Sequence, residues 1–340
     1  MTVPDPHPPI GVLVHRSTPP ERIAGFARAA EDAGFGELWL AEEFLHTAAP
    51  VVAAVTLGAT RRIPVGIGVV PAAVRHPAVT AMEVATLARA HPGRLVFGIG
   101  TGVERWNERM GVRTDRPLSV LRATLTTVRT LLDGAVADVG GDPFLLRSAQ
   151  LGHPVAPGAV RLVAGAVGPR ALELAGEVAD GVVLAHLSSP RYVALARERV
   201  AAGAARAGRP ATGTTLTAFV IHAVDDDRDR ARASARSAVG HYLHALAGTA
   251  LTTVHPIGPE LDRIVAHGDP ARTTAEIPEE WIDRFAVVGT PGDCAGRIRE
   301  FLAAGATSVV LSPADPATGP RELTGVLRAF RSAPAGQGRA

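Results

Sequence analysis

Two acids and a histidine, Glu42, Glu43 and His46, follow the apolar run Glu37–Leu40, and a third acid, Glu104, follows the segment Gly98-Ile-Gly-Thr-Gly102. Carboxyl and imidazole groups in such places can hydrogen-bond a ligand ring or pass a proton. A buried, unpaired acid would be costly, so these groups are expected to be solvated or engaged. For Glu104 the bland alternative is an acid at a helix start, favoured by the dipole. The glycines concern binding instead. Residues without Cβ let a ligand approach the backbone closely, which makes Gly100, Thr101 and Gly102 candidate cofactor contacts. Trp106 stands just beyond them, either to stack on a ligand or to fill space.

A second glycine turn, Gly165-Ala166-Val167-Gly168-Pro169, joins the apolar run Val160–Ala164 to a helical pattern. N–H groups at a helix start lack partners within the helix and attract anions. Pro169 suits the first turn, and Arg170 could add a charge-assisted contact to phosphate. An ordinary tight β–α turn would read the same way. Ile67-Gly68-Val69-Val70-Pro71 ends another run with small, apolar residues that could back a flat ring, with core packing as the alternative for Val69 and Val70. Arg75 and His76 precede a proline that opens a helix and are read as structural. His15, His186, His222 and Ser312 close further apolar runs.

Composition removes several chemistries. All 35 basic residues are arginine, so Schiff-base aldolase and pyridoxal-phosphate chemistry lack their lysine, as does a GxxxxGK[ST] phosphate loop. The lone Cys294 allows no intramolecular disulfide and no CxxC metal site. Without an HExxH, an HxH after the first strand or an acid cluster at strand ends, no metal is expected. Asp225, Asp226 and Asp227 read as helix capping. No GxSxG elbow is present. The 98–102 turn is not a dinucleotide fingerprint: no helix is expected directly on it, and Ser119–Ala123 lacks the ribose-binding acid. A net charge of +2 with dispersed arginines gives no footprint for nucleic acid. The N-terminus lacks a signal-peptide pattern and no apolar run reaches membrane length, so a cytoplasmic protein without membrane partners is expected.

The elements that must hold these residues recur regularly. Eight short runs are mostly unbroken apolar: Ile10–Val14, Glu37–Leu40, Ile63–Val70, Arg94–Ile99, Val160–Ala164, Gly181–Leu184, Thr215–Ile221 and Ser308–Leu311. Such runs suit parallel strands buried on both faces. Helical patterns lie between them, the first from Pro19-Pro20 to Gly34, others over 78–90, 117–133, 169–179, 190–207 and 227–247. The alternation predicts one (β/α)8 TIM barrel over residues 8–332, with chemistry at the C-terminal strand ends. Residues 248–289 read as an insertion between the seventh and eighth strands, short helices forming a lid at the mouth. Residues 135–158 read as irregular and 333–340 as a disordered tail.

Taken together, these segments resemble the luciferase-like family, nearer its coenzyme F420-dependent branch that includes methylenetetrahydromethanopterin reductase. The carriers are Ala30–Gly34 with Leu38–Glu42, Gly66–Val70 with Arg75-His76-Pro77, Gly93-Arg94 with Gly98–Gly102, Gly168-Pro169, Leu174-Ala175, Ala179–Gly181 and Val288–Pro291. The resemblance implies a barrel holding F420, or alternatively FMN, at its mouth. It implies a cis peptide behind the ring at Gly68–Val69 or Val69–Val70, and phosphate on Gly165–Pro169. Glu42 and Glu43 match the two positions facing the ring in relatives, although many relatives carry histidine where Glu43 stands. His186 joins the cofactor contacts, and Glu43, His46 and Glu104 are the candidate catalytic acids and base. Three activities follow: hydride transfer between F420 and a small organic substrate, an FMN monooxygenase fed by a separate reductase, or a flavin-binding barrel without catalysis. A homodimer through the helices after the second and third strands is also implied.

Overall fold

The computed structural model describes residues 8–332 apart from 142, 211 and 212, so the expected tail at 333–340 lies outside the described residues. Its barrel strands are β1 (Ile10–Val14), β2 (Glu37–Leu40), β3 (Val65–Pro71), β4 (Leu95–Gly100), β5 (Arg161–Gly165), β6 (Gly181–Leu184), β7 (Thr215–Val224) and β8 (Ser308–Pro313). Each pairs in parallel with the next, and β8 returns to β1, which closes the expected (β/α)8 barrel. Closure sends every C-terminal strand end to one rim.

Helices Pro20–Ala33, Pro77–Ala90, Pro117–Leu132, Pro169–Val178 and Pro190–Arg206 each open on proline, whose fixed φ and missing N–H suit the first helical position. The first ends at Gly34, whose φ of 81° is a left-handed C-cap. Arg228–Leu246 is capped by Asp227, which accepts from the N–H of Asp229 and Arg230. Helix Ala49–Ala59 is missing from the periodicity reading because its APVVAAVTLGA sequence is apolar nearly all round. A six-residue helix, Glu104–Arg109, also opens just after Gly102, where none was expected.

The main core lies between barrel and helices, while a second cluster fills the barrel itself: Leu13, Trp39, Val96, Val163, Val183, Phe219 and Val310. Trp39 and Phe219 meet edge-to-face at 5.4 Å. Gly66 and Gly68 make this possible, since added Cβ atoms would lie 2.4 Å from Trp39 and 2.7 Å from Phe219. Two aromatic rings thus plug the barrel below its mouth.

The 248–289 insertion holds the expected short helices, Ala250–Thr253, Gly258–Val265, Pro270–Glu276 and Glu279–Phe285, but it ends in a strand, Ala286–Gly289. The strand has a physical reason. β6 pairs with β7 only along Thr215–Ala218, so the upper part of the long β7 would be left with an open edge; Ala286–Gly289 takes Ile221–Val224. Within 135–158, Ala137–Val139 and Leu146–Ala149 form a small antiparallel pair rather than irregular chain.

Candidate functional site at the barrel mouth

The rim has two chemically different halves. On the β3–β5 side, the Gly68–Val69 peptide is cis, and the pairing of β3 with β4 slips between Ile67 and Val70. This bulge carries the Val69 side chain over β4 and β5. Cβ atoms added to Gly98, Gly100 and Gly165 would approach Val69 methyls to 2.8, 2.6 and 3.0 Å. Gly98, Gly100 and Gly165 therefore make room for the Val69 side chain. Val69 remains half-buried, an apolar surface at the mouth, whereas the Val70 side chain is buried in the outer core.

Next to this surface, Gly102 adopts a φ of +76°, and the side-chain amide of the buried Asn107 donates to Thr101 O at 3.0 Å, holding the loop. Glu104 is exposed at the start of its short helix and Trp106 is half-buried. Beyond β5, Ala166 is buried, Val167 and Gly168 are half-buried, and Pro169 and Arg170 are exposed. No side chain caps the helix that starts at Gly168, and nothing lies within 4 Å of a Cβ placed there. Tyr192 pins this turn, its buried hydroxyl donating to Val167 O at 2.7 Å. The helix is anchored further along by backbone contact with Pro190–Arg206, through Gly176 against Val200 and Gly203 against Glu173.

The opposite half is polar. Arg16, just past β1, donates to Glu43 at 3.1 Å. The neighbouring Glu42 turns away to Arg75, accepting from both Nη atoms (2.7 Å for one), and also from the N–H of Ala49 at 3.0 Å. His46 is exposed on the same loop. His186 stacks on Tyr242 of helix Arg228–Leu246 (4.5 Å, 14°) and meets Phe219 edge-on at 5.8 Å. Its Nε2 is buried without a partner. Burial pushes the His186 pKa down to about 4, with the charges of His15 and Arg16 adding to the effect. Burial likewise pushes the Tyr242 phenol up to about 12, and Glu43 contributes. Both rings are therefore neutral near pH 7.

The two halves meet where Arg109 of the short helix lies 4.7 Å from the Phe44 ring on the β2 loop. Glu43, His186 and the Val69 surface share this mouth, with the exposed His46 and Glu104 on its loops; Glu42 is tied off at its side. Sequence reasoning missed Arg16, Asn107 and Tyr242. The place of Arg16 directly after β1 could have flagged it, whereas Tyr242 sits mid-helix without a local signal. His76 caps Pro77–Ala90, the structural role expected of it, and Arg75 pairs with Glu42 and faces Glu83. His222 is buried and donates to Val287 O at 2.8 Å, tying β7 to the insertion. A cavity of about 460 Å³ flanks the rim between Ala72–His76, Val112–Arg116 and Phe144.

Comparison with known proteins extends the pattern over the chain. The family model described as luciferase-like monooxygenase matches residues 7–308. A 5,10-methylenetetrahydromethanopterin reductase of Archaeoglobus fulgidus is 32% identical over 86% of this chain and 89% of its own. Another, from Methanolobus tindarius, is 30% identical over 90% of this chain and 94% of its own. The structure of a coenzyme F420-dependent tetrahydromethanopterin reductase from Methanopyrus kandleri superposes with a TM-score of 0.81 at 25% identity, covering 94% of this chain and 99% of that one. Such coverage means that the whole barrel is shared, not one motif.

Proposed function

Since the chain belongs to the luciferase-like monooxygenase family, we propose that it is an oxidoreductase transferring a hydride between coenzyme F420 and a small organic substrate at the barrel mouth. The observation that carries this reading is the Val69 bulge, a half-open apolar surface beside the uncapped helix start at Gly168. A flat ring and an anionic tail are what that pair of features accommodates. The similarity to two methylenetetrahydromethanopterin reductases and to an F420-dependent structure favours the deazaflavin. When bound, F420 supplies a carbon that gives or takes a hydride, with little one-electron or oxygen chemistry.

Gly68 and Val69 would back the ring, Gly100–Gly102 would border its chain, and the N–H groups of the Gly165–Pro169 turn would take the phosphate. His186 would close the ring's far side. Glu43, His46 and Glu104 are the groups available to hold or deliver a proton, Glu43 with its charge balanced by Arg16. The helix carrying Tyr242 and the insertion at 248–289 would shape access for the substrate. A second copy of the chain would cover the apolar face of helices Ala49–Ala59 and Pro77–Ala90.

The monooxygenase description of the family favours a second reading, in which a separate reductase supplies reduced FMN. Titrating the purified protein with F420 and with FMN, followed by fluorescence, separates the two. The expected outcome is F420 binding at micromolar levels or better, about −8 kcal/mol, with weaker FMN binding. Tighter FMN binding accompanied by oxygen consumption would reverse the assignment.

A further inference from the structure

We infer that Arg75 is a positioning residue for the cofactor rim: by holding Glu42 it sets the β2 loop, which carries Glu43 and His46, against the strand end that carries Val69. The inference deepens the proposed function and rests on it.

The geometry is that of a strut between two loops. Arg75 lies four residues beyond Pro71, the end of the bulged strand, and both of its Nη atoms donate to the two oxygens of Glu42. This fork-to-carboxylate match fixes orientation as well as distance, which a point charge does not. The side chains are 18% and 15% exposed, so the pair is shielded from most of the screening that weakens surface ion pairs. Glu42 also accepts from Ala49 N–H, which ties the loop's far end, at the start of helix Ala49–Ala59, to the same carboxylate. Nε of Arg75 faces Glu83 on helix Pro77–Ala90 at 3.6 Å. One guanidinium thus stands between two carboxylates on different elements. Removing it would leave two part-buried acids facing each other and push the β2 loop from the bulge.

Glu42 is thereby assigned a different job from its neighbour. Glu42 is the strut's other end, and Glu43, turned to Arg16, is the acid that faces the mouth. Leu45, on the same loop, has a φ of 63° and is 81% exposed, so apolar burial at that point does little to hold the loop in place.

The test uses the full chain in five forms: wild type, Arg75→Gln, Arg75→Lys, Glu42→Gln, and the double variant Arg75→Gln/Glu42→Gln. For each, the F420 dissociation constant is measured by fluorescence titration and the melting temperature by circular dichroism. Loss of the charge-assisted pair is expected to weaken F420 binding about tenfold in Arg75→Gln. Arg75→Lys should recover only part of this, because lysine lacks the fork. The double variant should be no worse than the weaker single, since the two residues act as one unit. Unchanged F420 binding in Arg75→Gln, with or without a lower melting temperature, would reduce the pair to a fold-stabilising contact and overturn the inference. Multiplying losses in the double variant would also overturn it, by giving Glu42 its own contact with the cofactor. Should Arg75→Gln fail to fold, the same comparison is read from Arg75→Lys and Glu42→Gln. Wild type that folds but binds no F420 would instead fail the proposed function itself.

Discussion

Val69 and the glycines around it form one packing unit, and their sizes are matched. The valine fills the space left by Gly98 and Gly100 on the neighbouring strand and by Gly165 one strand further, so each small residue is explained by one larger side chain. Gly98 is the most demanding of the three, because a Cβ there would lie 2.3 Å from the backbone carbonyl of Ile67. A backbone oxygen in a barrel strand cannot step aside as a flexible side chain can. Gly98→Ala is therefore expected to destabilise the protein by about 1–3 kcal/mol, seen as a lower urea midpoint at an unchanged slope. A midpoint equal to wild type would mean that β3 is not packed against β4 as described. The rings of Trp39, Phe219, His186 and Tyr242 follow one another in successive contacts from the barrel interior to the mouth. The site is thus built directly on the barrel's aromatic plug.

The element proposed to meet the cofactor's phosphate is helix Pro169–Val178, and its position is set from its far end. Gly176 and Gly203 bring two helix backbones into contact, so the uncapped start at Gly168 has little freedom to shift. At β7, the extension pairs with Ala286–Gly289, and His222 bonds across that pairing. Burial lowers the His222 pKa to about 4 from an ordinary 6.5, the bond to Val287 O opposing the shift. The folded value lies below the unfolded one. Between pH 6.5 and about 4 the unfolded chain takes up a proton that the folded chain refuses, so this contribution is complete above pH 6.5 and falls away as pH drops. His222→Gln keeps a donor for Val287 O and removes the titration. Its stability, measured by urea unfolding at pH 7 and pH 4.5, should fall less between the two than that of wild type. An equal fall would mean that His222 is charged in the folded state.

At the scale of the molecule, barrel closure concentrates the polar loops and the glycine turns on one rim, and the outer helices present something different. Val51 and Val55 on Ala49–Ala59, and Val79 and Met82 on Pro77–Ala90, are 65%, 46%, 48% and 60% exposed. A cluster of apolar side chains on adjoining helices is costly to leave in water and is suited to a symmetric contact. The proposed homodimer makes a direct prediction. Wild type should elute in light-scattering chromatography at twice the chain mass, and Val51→Glu/Met82→Glu at the chain mass with its fold retained. A monomeric wild type would end the proposal. Among the described residues no helix is long and apolar enough to cross a membrane.

The eight strand positions, the proline-started helices and the loops that bear Glu43, Gly100–Gly102 and Gly165–Pro169 were legible in the sequence, because unbroken apolar runs, helical periodicity and glycine or proline punctuation act between near neighbours in the chain. Helix Ala49–Ala59 and strand Ala286–Gly289 were not, the first because an evenly apolar helix has no period, the second because its partner edge exists only once β7 outruns β6. Tertiary structure alone decided that adjacent Glu42 and Glu43 part company. Their partners, Arg75 and Arg16, stand 33 and 27 residues away and arrive only when the barrel closes. It also decided that Val69 fills the glycine gap and that Tyr242 covers His186. Local sequence determines which residues stand at the rim; which of them bind each other depends on distances across the barrel, and those are a property of the closed sheet.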